Sequence, residues 1–500
     1  MLEVFLAALR GAHKAKGWKA ALWASVNVAG ALVTQVPLAL LIGGALGFGL
    51  LNAFASAVDG AARAAPLLAA LSVVVGACLG ALFQLLGILF RVLPKQGFGI
   101  CRLHVAGSDP TTRPPLTDWL FERFDEIAGV ASRSPRRPLT FDDLAKGDLQ
   151  LELITTNLSE LRPYILPLDT HRFLFSRPEM EEYLPKYAVD HLEQSAYQSS
   201  SVEPPPGFFF LPPAEDLPVA FAVRLSLSFP VLISAVPLYS IKVDAFSRKV
   251  DGTILRLEEK DLKKNWFSDG GICSNFPIHF FDHWLPTRPT FGISLGEMPA
   301  DQVSTVTSPL DGMAEGVTVE PRKAEPVHLP KANRPEAAAW RDVSTLVDLF
   351  SSIFGTMMSY RDTMQSELPG FRERIVEIRL TKDEGGLNLD MEPARIEQLA
   401  KKGAEAGQIL RAFDFAEHRW VRLQVLMPPL ADELEHLLLQ ATKFGGWPDA
   451  NRPYPRSEGW MAVMQACLQT LAETAANHRL EPLKRTDPKP PVRLRATPRI

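Results

Sequence analysis

Residues 266–281 read Trp266-Phe-Ser-Asp-Gly-Gly-Ile-Cys-Ser-Asn-Phe-Pro-Ile-His-Phe-Phe281. An acidic residue followed by two glycines makes a turn that can take positive φ. Asp269 is then presented at the turn with the backbone of its neighbours close by. Ser274, Asn275 and Pro277 suit the start of a following helix. A carboxylate held in this way can act as a general base toward a serine hydroxyl. An ordinary Asp-Gly turn has the same sequence, so the triplet alone decides nothing.

The flanking sequence predicts an α/β protein. Leu149–Leu158 alternates and is rich in β-formers, which predicts a strand. Leu116–Val130 and Leu217–Phe229 carry helical apolar patterns, and Pro230 stops the second. Asp169–Pro213, with Pro204-Pro-Pro206 and Phe208-Phe-Phe210, reads as an irregular cap. Further on, Phe291–Leu295 and Arg374–Leu380 read as strands, and Trp340–Glu367 and Pro393–Phe413 as helices. Strands alternating with helices argue for a sheet with helices on both faces.

The first hundred residues have a different character. No charged residue lies between Lys19 and Asp59, or between Arg63 and Arg91. A membrane-spanning helix needs about 20 apolar residues, and both stretches are long enough. Arg10, Lys14, Lys16 and Lys19 precede the first, and Arg91, Lys95 and Arg102 follow the second. The positive-inside rule then predicts a two-span transmembrane hairpin with both ends cytoplasmic. Two spans without intramembrane charge give no ion pathway, which disfavours a channel or transporter.

Composition narrows the classes further. The 500-residue chain is 46% hydrophobic and 22% charged, with a net charge of −4. That balance excludes wholesale disorder and disfavours nucleic acid as a partner. The four cysteines Cys78, Cys101, Cys273 and Cys467 form no CxxC pair, which excludes a disulfide scaffold and a thiolate zinc module.

Three segments in order carry a family resemblance: Ile154-Thr-Thr-Asn-Leu-Ser159 followed by Arg162-Pro-Tyr164; Ala222-Val-Arg-Leu-Ser-Leu-Ser-Phe-Pro-Val-Leu-Ile-Ser-Ala-Val-Pro237; and the Asp269-Gly-Gly271 turn. Together they resemble the patatin-like phospholipases, a family of lipid acyl hydrolases. Pro369-Gly-Phe-Arg-Glu-Arg-Ile-Val-Glu-Ile and Glu384-Gly-Gly-Leu-Asn-Leu389 look like bacterial members of it. The resemblance spans roughly Gly97 to Phe413. It implies a patatin-like three-layer α/β/α domain, here with the N-terminal transmembrane hairpin, placed in a bacterial inner membrane. It also implies a Ser–Asp dyad with Asp269 as the base and Gly270 and Gly271 shaping its turn. The substrate would be a membrane lipid, the bilayer itself a partner, and no cofactor is expected.

The family places its nucleophile in a Gly-x-Ser-x-Gly elbow and its oxyanion hole in a glycine-rich loop, both upstream of the Arg-x-Ser-x-Ser-Phe-Pro helix. Neither occurs before residue 220. The resemblance therefore leads one to expect a chain that begins just after its nucleophile. An upstream segment or a partner chain would supply the serine; alternatively, the chain is a catalytically inactive scaffold that binds lipid or a partner. The literal match Gly292-Ile-Ser-Leu-Gly296 lies on an expected strand and after Asp269, which disfavours Ser294 as the nucleophile.

The other candidates are weaker. His279 and His283 sit four apart but lack the glutamate of a zinc helix and a third ligand, so no metal is expected. Ser226 and Ser228 read as structural, and Arg224 as the partner of a carboxylate. The expected organisation is an amphipathic segment plus hairpin over 1–96 and an α/β core with cap over 97–298. A mobile linker follows over 299–339, a helix-rich completion over 340–480, and a basic disordered tail over 481–500.

Overall fold

The computed structural model describes residues 86–105, 114–168, 171–247, 254–298, 304–305, 325–331, 338–339, 343–366, 368–381, 384–385, 391–443, 466–467 and 470. The chain divides into two units, Met1–Asn275 (together with Ile500) and Phe276–Arg499. The two are described separately below.

The strands of the first unit are β1 (Gly99–Cys101), β2 (Leu153–Asn157), β3 (Arg162–Leu166), β4 (Phe173–Ser176), β5 (Val202–Glu203), β6 (Phe208–Phe210), β7 (Val231–Ile233), β8 (Val236–Ile241), β9 (Leu255–Arg256) and β10 (Leu262–Asp269). Six of them form the central sheet in the order β3-β2-β10-β8-β4-β6. Every neighbouring pair in it is antiparallel. Two short parallel pairs, β1 with β7 and β5 with β9, stand apart from it.

The sheet follows from strict alternation along short strands. Phe173 and Phe175 enter one hydrophobic cluster and Leu174 the other. In the same way Phe209 packs on the first, while Phe208 and Phe210 lie in the second. The larger cluster is completed by three helices: α1 (Leu116–Ile127), α3 (Lys186–Gln194) and α4 (Val219–Ser226). These contribute Phe121, Leu192 and Phe221. A shorter helix, α2 (Phe141–Lys146), begins at a Thr140 capping box whose third residue is Asp143.

Several expectations need correction. The central sheet is not the parallel sheet of a three-layer α/β/α domain, so the fold is a mixed arrangement of helices and sheets. A parallel sheet requires crossover connections, whereas β2 and β3 here join through the tight turn 158–161. Asp169–Pro213 is not an irregular cap: it supplies β4 and β6 to the central sheet. β2 is an interior strand, flanked by β3 and β10.

The N-terminal transmembrane hairpin is also corrected. No helix among the described residues is long and apolar enough to cross a membrane. Of the two stretches that suggested it, only residues 86–90 of the second are described. They run into a single π turn, Ile88–Val92, and then a 3₁₀ turn, Leu93–Gln96, which contains Pro94. The rest of both stretches lies outside the described residues.

In the second unit, β11 (Gly292–Glu297) pairs in parallel with β15 (Ile375–Leu380), and β13 (Val327–His328) pairs antiparallel on the other side of β15. β12 (Ser304–Thr305) and β14 (Ala338–Ala339) form a separate pair. Three helices follow: α5 (Leu346–Ser366), α6 (Pro393–Arg411) and α7 (Phe415–Lys443). Ala406 of α6 packs with Val376 and Ile378 of β15. A buried charge cluster ties loops to α7. Arg422 Nη2 donates to Asp282 Oδ2 at 3.0 Å, and Arg374 Nη2 lies 2.9 Å from Asp282 Oδ1. All three side chains are at most 6% exposed.

Candidate functional site

Asp269 is the last residue of β10, an interior strand of the central sheet. It also caps the 3₁₀ turn Gly270–Ile272, where its Oδ1 accepts the Gly271 N–H at 2.8 Å. Among the described residues its Oδ2 has no protein hydrogen-bond partner. The carboxyl is half-buried. Burial raises its pKa above the ordinary 3.8, and the Gly271 N–H only partly opposes that. The result is a carboxylate with one oxygen fixed, the other free, and a strengthened hold on a proton. Those are the attributes of a general base.

The glycines serve a different purpose from the one expected. Neither Gly270 nor Gly271 takes a positive φ. A Cβ on Gly270 would come within 2.1 Å of the Ile154 carbonyl oxygen, and one on Gly271 within 2.4 Å of Asn275 Oδ1. Close approach, of the Ile154 backbone at Gly270 and of the Asn275 side chain at Gly271, and not left-handed geometry, is what leaves no room for side chains here.

The sheet then builds a polar surround. Asp269 lies opposite Thr155 across the β10–β2 ladder. Thr155 Oγ1 donates to the Ser268 carbonyl at 2.8 Å. Thr156 Oγ1 donates to the Asp269 carbonyl at 2.9 Å and lies 3.4 Å from Cys273 Sγ. The Asp269 N–H donates to the Ser228 carbonyl at 3.0 Å, and Ser268 Oγ donates to the same oxygen at 2.7 Å. Thr156 and Ser228 lie in the motif segments quoted above, but neither is marked there as a partner of Asp269. They act through the backbone atoms of the residue they hold, so side-chain chemistry in the sequence does not flag them.

At this level of similarity the chain resembles the RpoH suppressor of Rhizobium meliloti (strain 1021). The two are 35% identical over 399 residues, which is 70% of this chain and 59% of that protein. The chain thus spans under two thirds of the length of the relative it matches. No family model matches the sequence, and no solved structure matches it.

The remaining candidates fall elsewhere. Ser294 is the third residue of β11 in the second unit, in register with Glu377 of β15, and among the described residues no helix starts directly behind the strand. Ser226 Oγ is used on the Ile154 carbonyl at 2.7 Å, and Ser228 Oγ on the Arg224 carbonyl at 2.8 Å. Arg224 does not pair with a carboxylate; it donates to Ser228 Oγ and to the carbonyls of Arg102 and Ser234. His279 sits in a 3₁₀ turn that ends at Phe281, so it shares no helical face with His283. Among the described residues no group of three His, Cys, Asp or Glu could hold a metal ion.

Proposed function

We propose that this chain carries the general-base half of a lipid-ester acyl hydrolase. Asp269 Oδ2 takes the proton from a serine hydroxyl as that oxygen attacks the ester carbonyl. The alcohol leaves, and water then hydrolyses the acyl-serine with the same carboxylate as base. One observation carries the reading: a half-buried carboxylate at the end of an interior strand has one oxygen pinned by Gly271 and the other unused. The lipid class of the ester comes from the patatin-like motif resemblance. No serine among the described residues is hydrogen-bonded to the Asp269 carboxyl, so the nucleophile lies outside them.

The lack of a serine on the Asp269 carboxyl among the described residues favours a second reading, an inactive scaffold that binds lipid or a partner. Similarity to the RpoH suppressor is compatible with both readings and names no substrate. The two are separated by hydrolysis of a short-chain nitrophenyl ester and of phospholipid–detergent mixed micelles by the full-length chain, beside Asp269→Asn. The base reading predicts a loss in kcat on the order of 10³–10⁴-fold in the variant. No turnover by the wild type supports the scaffold, and equal turnover by the two proteins removes Asp269 as the base.

A further inference from the structure

Arg224 on α4 is fully buried, yet no carboxylate pairs with it among the described residues. Burial lowers its pKa to about 10. A buried cation without a counter-charge is expensive, so the site must draw on Arg224 in another way. Its guanidinium fork spans three acceptors, a geometry lysine cannot reproduce. Nη1 donates to Ser228 Oγ at 2.5 Å, and Nη2 to the carbonyls of Ser234 at 2.9 Å and Arg102 at 3.1 Å. Ser228 Oγ donates back to the Arg224 carbonyl at 2.8 Å. The residue clamped in this way then offers its own carbonyl to the Asp269 N–H and to Ser268 Oγ.

We propose that Arg224 is a positioning residue for Asp269: through Ser228 it fixes the end of β10 from which the carboxyl projects. This rests on the reading of Asp269 as a base. Backbone strain collects beside the clamp, where Phe98, Leu103 and Val231 all take positive φ, an unusual state for a β-branched residue such as Val231. The titratable and charged groups on the elements around the turn are few. Cys273 lies on the turn itself and Arg224 on α4, while β2 brings only Thr155, Thr156 and Asn157. Among the described residues no group of opposite charge acts on the carboxyl; burial and the Gly271 N–H do, and Arg224 reaches it only through Ser228.

The test uses the full-length chain with ¹³C-labelled aspartate carboxyls, the Asp269 resonance being assigned by its absence in Asp269→Asn. Arg224→Lys and Ser228→Ala are compared with wild type for the Asp269 titration midpoint and for kcat and KM on the nitrophenyl ester. A midpoint that falls toward that of an exposed aspartate in both variants is expected. So is a kcat lower by roughly 10–100-fold with KM little changed, since misplacement of the base alone costs that much. A folded Arg224→Lys or Ser228→Ala protein with an unmoved midpoint and unmoved kcat overturns the proposal. If Arg224→Lys does not fold, Ser228→Ala decides by the same two readouts. Full hydrolysis by Asp269→Asn removes the base reading instead, and the titration midpoints then still decide whether Arg224 places Asp269.

Discussion

Asp269 keeps its carboxyl half out of water, and that opposes folding wherever the group is charged. Its pKa is raised in the folded chain, so the native state binds the proton more tightly than the unfolded state. Stability therefore falls as pH rises through the ordinary carboxylate range and on through the folded-state value. Asp269→Asn removes that penalty while its amide oxygen still accepts the Gly271 N–H. Denaturant midpoints should match wild type below about pH 4 and exceed it at pH 7. A variant less stable than wild type at neutral pH would count against the burial argument. At this scale the sequence was half legible. The Asp-Gly-Gly triplet marked Asp269 because acid and glycine side chains are themselves the signal. Thr156 was missed, and Ser228 and Arg224 were named without their link to Asp269, because each acts on carbonyls and N–H groups that every residue possesses. Arg224 was expected to meet a carboxylate, the usual partner of a buried arginine, and meets three oxygens that carry no full charge.

Elements with strong periodicity or a clear stop were readable. α4 ends before Pro230, and β15 and α6 lie within their expected spans. β4 and β6 were not readable, because strands of four and three residues between prolines look like a loop. Their placement is decided by Phe173, Phe175, Phe208 and Phe210, whose burial on alternate faces appears only once the sheet exists. The start of α2 offers a test at this scale. Thr140 Oγ1 accepts the Asp143 N–H, and Asp143 accepts from Arg133, Arg137 and the Thr140 N–H. Burial works to raise the Asp143 carboxyl, but these hydrogen bonds hold it well below the usual range. That contribution is present above about pH 4 and is lost as pH falls further. Thr140→Ala should cost about 1 kcal/mol of stability at neutral pH by denaturant unfolding. A cost near zero would mean that the arginine bridges alone hold the turn.

At the scale of the whole molecule, the alternation of strands and helices suggested a sheet with helices on both faces, and the chain instead builds an antiparallel central sheet within a mixed arrangement of helices and sheets. Sequence pattern gives element type, but strand direction is set by how the chain returns, which local periodicity does not encode. The division at Asn275 and Phe276 falls a few residues after Asp269. The second unit depends on one carboxylate: Asp282 faces both Arg374 and Arg422 in a buried cluster. Asp282→Asn takes from two buried guanidinium groups the one carboxylate that pairs with both, leaving Glu373 as the nearby negative charge, and should cost about 3–5 kcal/mol. Calorimetry of the full chain should show the transition of the Phe276–Arg499 unit lowered and that of the first unit unmoved. A uniform shift of all unfolding would show the two units to be one cooperative body.

The central claim is that Asp269 activates a serine. Fluorophosphonate labelling of the full-length chain, read by peptide mass, tests it most directly. The account predicts a single labelled serine in wild type and none in Asp269→Asn. Labelling that persists in the variant, or wild-type protein that is folded and takes no label, would contradict it.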